Sequence, residues 1–85
     1  MPYIKKEDRI KFDESLNKIT HFETKGELEY CIFKLMVAYK KERISNYTNL
    51  HDCAYAAMHC GDEFCRRFLD ERENQAITTN GDIDG

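Results

Sequence analysis

Apolar side chains recur along the chain with helical periodicity, and no alternation typical of a β-strand stands out. A first helix is predicted from about Lys6 to Ile19. Within it, Phe12, Leu16 and Ile19 form an i, i+4, i+7 stripe opposite charged side chains. This pattern is typical of a surface helix whose apolar stripe lies against another element.

The second predicted helix has a clear start and an unusually apolar body. Thr24 and Glu27 match a capping box, in which each side chain satisfies a free backbone donor at the start of a helix. Nine of the ten residues 30–39 are apolar or aromatic, so the helix has no polar half. It should end near Lys40–Arg43, where cations suit the helix dipole. Because two short helices cannot cover so much apolar surface, we expect a homo-oligomer.

The third predicted helix begins after a polar connection and contains small residues at its centre. Asn46 or Asn49 is its expected N-cap, and it should run to about Glu71. The small side chains around Gly61 predict a close helix crossing. A polar tail follows from Asn74. The predicted fold is therefore an all-α, compact three-helix protomer, with one helical domain over residues 1–80 and a flexible tail over residues 81–85.

Composition and charge exclude several classes of protein. Eighty-five residues suffice for one domain, and 13 basic against 16 acidic residues give a net charge of −3. Duplex nucleic acid requires a broad basic face, so we expect no binding to it. No apolar run reaches 18 residues, which predicts no membrane span. The N-terminus becomes charged at once and does not resemble a signal peptide, so a cytoplasmic location is expected.

The cysteines and histidines predict neither a metal site nor an enzyme. The four cysteines lie in helical patterns and form no C-x-x-C pair, so free, mostly buried thiols are expected. A metal site at Cys53 and Cys60 lacks ligands, because His59 points about 100° away from their shared face. Adjacent Cys–His pairs also point apart on a helix and cannot form a nucleophile–base pair. We predict no metal, no cofactor and no catalytic residue.

Basic pairs are the most informative polar feature. Arg66 and Arg67 lie between Phe64 and Phe68, and an arginine beside aromatic rings suits a phosphate carried by a stacked base. The opposing interpretation is that these are ordinary solvated cations paired with nearby carboxylates, and spacing alone favours it. The candidate ligand contacts are two arginines, one lysine and two tyrosines: Arg66, Arg67, Lys6, Tyr3 and Tyr47.

Several short motifs resemble an uncharacterised family of small proteins that are common in phages and in bacterial genomes carrying phage-derived elements. Members of that family open with M-x-Y-I-x-x-E-x-R and continue with G-E-L-N-Y, S-Y-x-N-L-N, E-x-Y-R-R and N-G-D. The corresponding segments here are residues 1–9, 26–30, 46–51, 63–67 and 80–82. Glu29 and His51 stand where the pattern has Asn, and Cys65 replaces an aromatic residue. The P-Y-E that usually follows the arginine pair is absent.

The resemblance implies a phage or prophage protein made in the bacterial cytoplasm, where small acidic proteins often counter host defence. Two mechanisms fit the size of the chain. One is an oligomer that sequesters a nucleotide-derived immune signal, of the cyclic nucleotide or ADP-ribose type, without cleaving it. The other is an inhibitor that covers a host defence protein, such as a CRISPR effector complex. The modest acidity and the local clusters of cations and rings favour the first mechanism.

Overall fold

The computed structural model describes residues 1–83, and the regular secondary structure of that range is helical, which confirms the predicted all-α class and leaves the homo-oligomer a prediction. Helix α1 spans Lys6–Leu16, α2 spans Lys25–Lys41 and α3 spans Tyr47–Phe64. A π turn over Cys65–Leu69 then leads directly into α4, which spans Asp70–Asn80. Because α3, the π turn and α4 form one uninterrupted helical rod, the described chain contains three helices.

Side-chain caps fix the starts of α2 and α3 where the sequence predicted them. The Thr24 hydroxyl accepts a hydrogen bond from the Glu27 backbone N–H at 3.1 Å, and the Glu27 carboxylate accepts one from the Glu23 N–H at 2.9 Å. The Asn46 side chain accepts from the Asn49 N–H at 2.8 Å, so Asn46 is the N-cap. These bonds satisfy donors that have no partner inside the helix.

The third helix is longer than predicted. We expected it to end near Glu71 and to be followed by a polar tail from Asn74, but α4 remains helical to Asn80. A hydrogen bond from the Gly81 N–H to the Ile77 carbonyl closes the last turn of this segment. Gly81 ends it with a φ of 90°, a value that favours glycine. Of the predicted flexible tail over residues 81–85, residues 84 and 85 lie outside the described residues.

Helices α2 and α3 pack against each other as a hairpin, while α1 packs on no other helix of residues 1–83. The hairpin contact is centred on Cys53, whose thiol donates a hydrogen bond to the Met36 carbonyl at 3.4 Å. Cys53 is the one buried residue in the described part of the chain. The amphipathic stripe of α1 therefore faces solvent in a single protomer, with Leu16 47% exposed.

Three predictions about burial are not met within the single described protomer. No residue of α2 is buried, although its apolar girth predicted burial on more than one side. No helix crosses at Gly61, since a Cβ placed there would meet no heavy atom within 4 Å in the described chain. The free cysteines are also less buried than expected, because Cys60 is exposed and Cys53 is the one buried thiol of the described residues. No helix of residues 1–83 is long and apolar enough to cross a membrane.

Candidate ligand-binding site

The N-terminal arm, residues 1–5, lies beside the C-terminal end of α3 and the π turn. The arm thereby brings Tyr3 to the two adjacent arginines, Arg66 and Arg67, although 64 residues separate Tyr3 from Arg67 in the chain. The π turn is closed by a hydrogen bond from the Asp70 N–H to the Cys65 carbonyl. Single π turns within α-helices occur frequently at functional sites. This junction is therefore the candidate site.

Arg66 is engaged by a carboxylate on the preceding turn of α3. Its Nε and Nη2 atoms both lie 2.6 Å from Oε1 of Glu63. The hydrogen bond to Glu63, followed by the attraction of the same charge, raises the pKa of Arg66 above its ordinary value, and Tyr3 adds a smaller contribution in the same direction. The guanidinium therefore stays charged, but its hydrogen-bonding edge is occupied by Glu63.

Arg67 is held by aromatic groups. Its Nη1 atom lies 3.5 Å from the Tyr3 hydroxyl, at the limit of a hydrogen bond, and its guanidinium carbon lies 5.2 Å from the centre of the Phe68 ring. Within residues 1–83 Arg67 forms no ion pair with a carboxylate. Its remaining N–H groups are in a position to bind an incoming anion in bidentate fashion.

An open groove of about 320 Å³ runs between the arm and α3 beside these arginines. Its walls are formed by two residues of the arm and four of the rod: Met1, Pro2, His59, Asp62, Glu63 and Arg66. The volume is near the lower end for a small-molecule site. Two of the wall residues are acidic, so an anion must approach from the arginine side or displace Glu63.

The structure brings together only some of the predicted contacts. Tyr3, Arg66 and Arg67 meet at the junction, and Lys6 begins α1 three residues beyond Tyr3. Tyr47 lies at the opposite end of α3, 19 residues before Arg66 and therefore about 28 Å away along the helix axis. One small ligand cannot contact Tyr47 and the arginines of the same protomer.

A ladder of four rings along α3 was not predicted. Tyr47, His51, Tyr55 and His59 stack in order, with ring-centre distances of 5.4, 4.0 and 5.8 Å. The i, i+4 spacing that places them on one side of the helix is visible in the sequence. The ladder leads from the N-terminal end of α3 to His59 in the groove.

The comparisons with known proteins place the chain in a family but give that family no activity. Residues 1–83 match the family described as "Domain of unknown function (DUF6899)", so the chain belongs to that family. No match was found among curated proteins or among solved structures.

Proposed function

We propose that this protein is a phage anti-defence protein that binds a nucleotide-derived immune signal in the bacterial cytoplasm and sequesters it intact. The observation that carries the proposal is the meeting of Tyr3, Arg66 and Arg67 at the π turn. Two guanidinium groups and a phenol provide both the positive charge and the ring that a phosphorylated nucleoside requires. Sequestration needs no catalytic group, and none is assigned.

The two arginines have different roles in this proposal. Arg67 is the principal phosphate clamp, because aromatic contacts leave most of its N–H groups for the ligand. Arg66 becomes a second clamp only when a phosphate replaces Glu63. Lys6 is close enough in the chain to Tyr3 to add a third charge at the rim. Two charged hydrogen bonds at about 1.5–3 kcal/mol each and a base stack at about 1–3 kcal/mol sum to about 4–9 kcal/mol, and the upper end of that range reaches the roughly 8 kcal/mol of micromolar affinity.

We further propose that the working form is a homo-oligomer. The support comes from the exposed apolar side chains of every helix, including Phe33 on α2 at 66% and Phe64 on α3 at 62%. An isolated chain with this exposure lacks the packed core that offsets the entropy of folding. A second copy is the simplest cover for these surfaces.

The alternative function is inhibition of a host defence protein by direct contact. The same exposed apolar side chains favour it, since large apolar patches often mark protein interfaces. Under this alternative the arginine junction has no nucleotide ligand, and a host protein covers the helices.

Calorimetry against a panel of cyclic dinucleotides and ADP-ribose derivatives separates the two functions. We expect saturable heat with one class of ligand, and the ligand should be recovered unchanged after the complex is denatured by heat.

Arg67→Gln should weaken this binding about ten-fold or more, because it removes a charged, bidentate donor. The matched control is Arg72→Gln, which removes the same charge from α4 and should change affinity little. No heat with any nucleotide, together with co-purification of a host protein, would favour the alternative.

A further inference from the structure

One protomer exposes more surface than a packed monomer of the same mass does. The chain exposes 8051 Å², whereas a packed monomer of 10.1 kDa exposes about 5,300 Å². The excess is roughly 2,700 Å² per copy. If each of two copies buried this excess surface against the other, the interface would total roughly 5,400 Å², which is the scale of an obligate homodimer interface. An interface of this size is typical of a permanent complex rather than a transient one.

One face of α3 has the spacing of a helix-pairing seam. Its positions alternate in steps of four and three residues over nearly three heptads: Tyr47, His51, Ala54, Met58, Gly61 and Cys65. We call this face the α3 seam. It lies about a third of a turn from Cys53, which faces α2, so the hairpin leaves it uncovered. Tyr47 is 79% exposed, Met58 is 56% exposed and nothing approaches Gly61.

The α3 seam is complementary to itself when two copies run antiparallel. Its large rings lie at the N-terminal end. Within positions 51–65 the midpoint is Met58, and the small residues Ala54 and Gly61 lie on either side of it. An antiparallel copy that pairs Met58 with Met58 places Ala54 within one residue of Gly61, which permits the close approach that small side chains allow. A two-fold interface of this kind satisfies both copies with one surface.

We infer that a second copy of this chain packs antiparallel along the α3 seam, so that Tyr47 of the partner subunit lies beside the π turn that carries Arg67. Positions 47 and 69 are each 11 residues from Met58, which places Tyr47 of the partner subunit next to Leu69 at the end of the π turn. The stacking residue and the phosphate clamp, which lie about 28 Å apart in one protomer, then meet in one composite site. The ligand-binding part of this inference rests on the proposed function, while the pairing does not.

Disulfide trapping tests the pairing and its direction. In a Cys60→Ser, Cys65→Ser background, Met58→Cys should form a covalent dimer under oxidised glutathione, because the two thiols face each other at the midpoint. Ala56→Cys is the matched control: it is also exposed in the protomer but points about 160° away around the helix. We expect roughly ten-fold more dimer from Met58→Cys than from Ala56→Cys, since disulfides require Cβ atoms within about 4.5 Å.

Tyr47→Cys in the same background distinguishes the orientation. An antiparallel pair keeps the two introduced thiols far apart, so no excess dimer is expected, whereas a parallel pair would link them as efficiently as Met58→Cys. Equal trapping at positions 56 and 58 would overturn the seam, and efficient trapping at position 47 would overturn the antiparallel arrangement. If the disulfide trapping gives the expected result but calorimetry detects no heat with any nucleotide, the antiparallel pairing stands and the proposed nucleotide ligand does not.

Discussion

At the scale of single residues, the charge balance of the groove depends on Glu63. Its carboxylate occupies the donor edge of Arg66 and adds a negative charge to the wall that a phosphate must approach. Asp62 lines the same groove but forms no ion pair with Arg66 in the described chain. The two acids therefore have equal charge and different contacts, which makes them a matched pair for substitution.

Glu63→Gln should tighten binding of the nucleotide ligand. The substitution removes one charge and releases Arg66 from its carboxylate, an effect of about 1 kcal/mol, or roughly five-fold in affinity. Asp62→Asn removes the same charge without releasing a guanidinium and should change affinity less. Calorimetry of both variants measures the difference. An unchanged or weaker affinity for Glu63→Gln would show that Arg66 does not contact the ligand.

Gly61 offers a second test at this scale, because it has open space in the protomer and a close neighbour in the proposed pair. Gly61→Ala should raise stability by about 1 kcal/mol, since glycine is a poor helix former and an alanine still permits a close approach. Gly61→Leu should instead lower the mass in solution by forcing the helices apart. Thermal unfolding and light scattering measure the two effects. A Leu variant that keeps its oligomeric state would place the interface elsewhere.

At the scale of elements, the sequence predicts where helices begin better than where they end. Thr24 and Asn46 are side-chain caps with a local chemical signature, and both begin helices in the structure. The end near Glu71 was wrong because residues 70–80 are polar all round, and polarity alone does not separate an exposed helix from a tail. The π turn has no comparable signature, since it depends on how the rod packs rather than on local preference.

In the candidate site, too, the sequence predicts the local features and misses those that depend on the path of the chain. The basic pair and its flanking rings are adjacent in the sequence, so Arg66 and Arg67 could be proposed from local pattern. The approach of Tyr3 depends on the path of the arm across α3, which no spacing in the sequence encodes. The grouping of Tyr47 with the arginines fails within one protomer, because helix length separates them. Only contact between copies would restore it.

Substitutions in helix α1 test whether its apolar stripe lies in the oligomer interface. Its stripe contacts no other helix in the described protomer, so a substitution there leaves the packing between helices of one copy unchanged. Leu16→Glu should raise the dissociation constant of the oligomer by about ten-fold or more, because a charge replaces an apolar contact. Ile10→Glu makes a comparable change on the opposite face, where Ile10 is already 71% exposed, and should have little effect. Sedimentation velocity over a dilution series measures both, and equal behaviour of the two variants would exclude the α1 stripe from the interface.

At the scale of the whole molecule, the described chain consists of the rod formed by α3, the π turn and α4, of α2 packed against α3, and of α1, which packs on no other helix. These parts share almost no core. Its radius of gyration is 16.9 Å, whereas a packed domain of this length has one of about 12 Å. In the proposed oligomer, stability comes from association, and unfolding should be coupled to dissociation. The melting temperature should rise with protein concentration, as it does when only the folded state binds a partner. A melting temperature independent of concentration over a hundred-fold range would argue for a self-sufficient monomer.

The measurement that tests the central claim most directly is the mass of the unmodified protein in solution. One copy of the proposed oligomer is incomplete, both as a folded unit and as a binding site. Sedimentation equilibrium at low micromolar concentration should therefore give at least twice the chain mass of 10.1 kDa. A single species of 10.1 kDa that retains its helical circular dichroism would contradict the account, because such a monomer would be stable with its apolar faces uncovered.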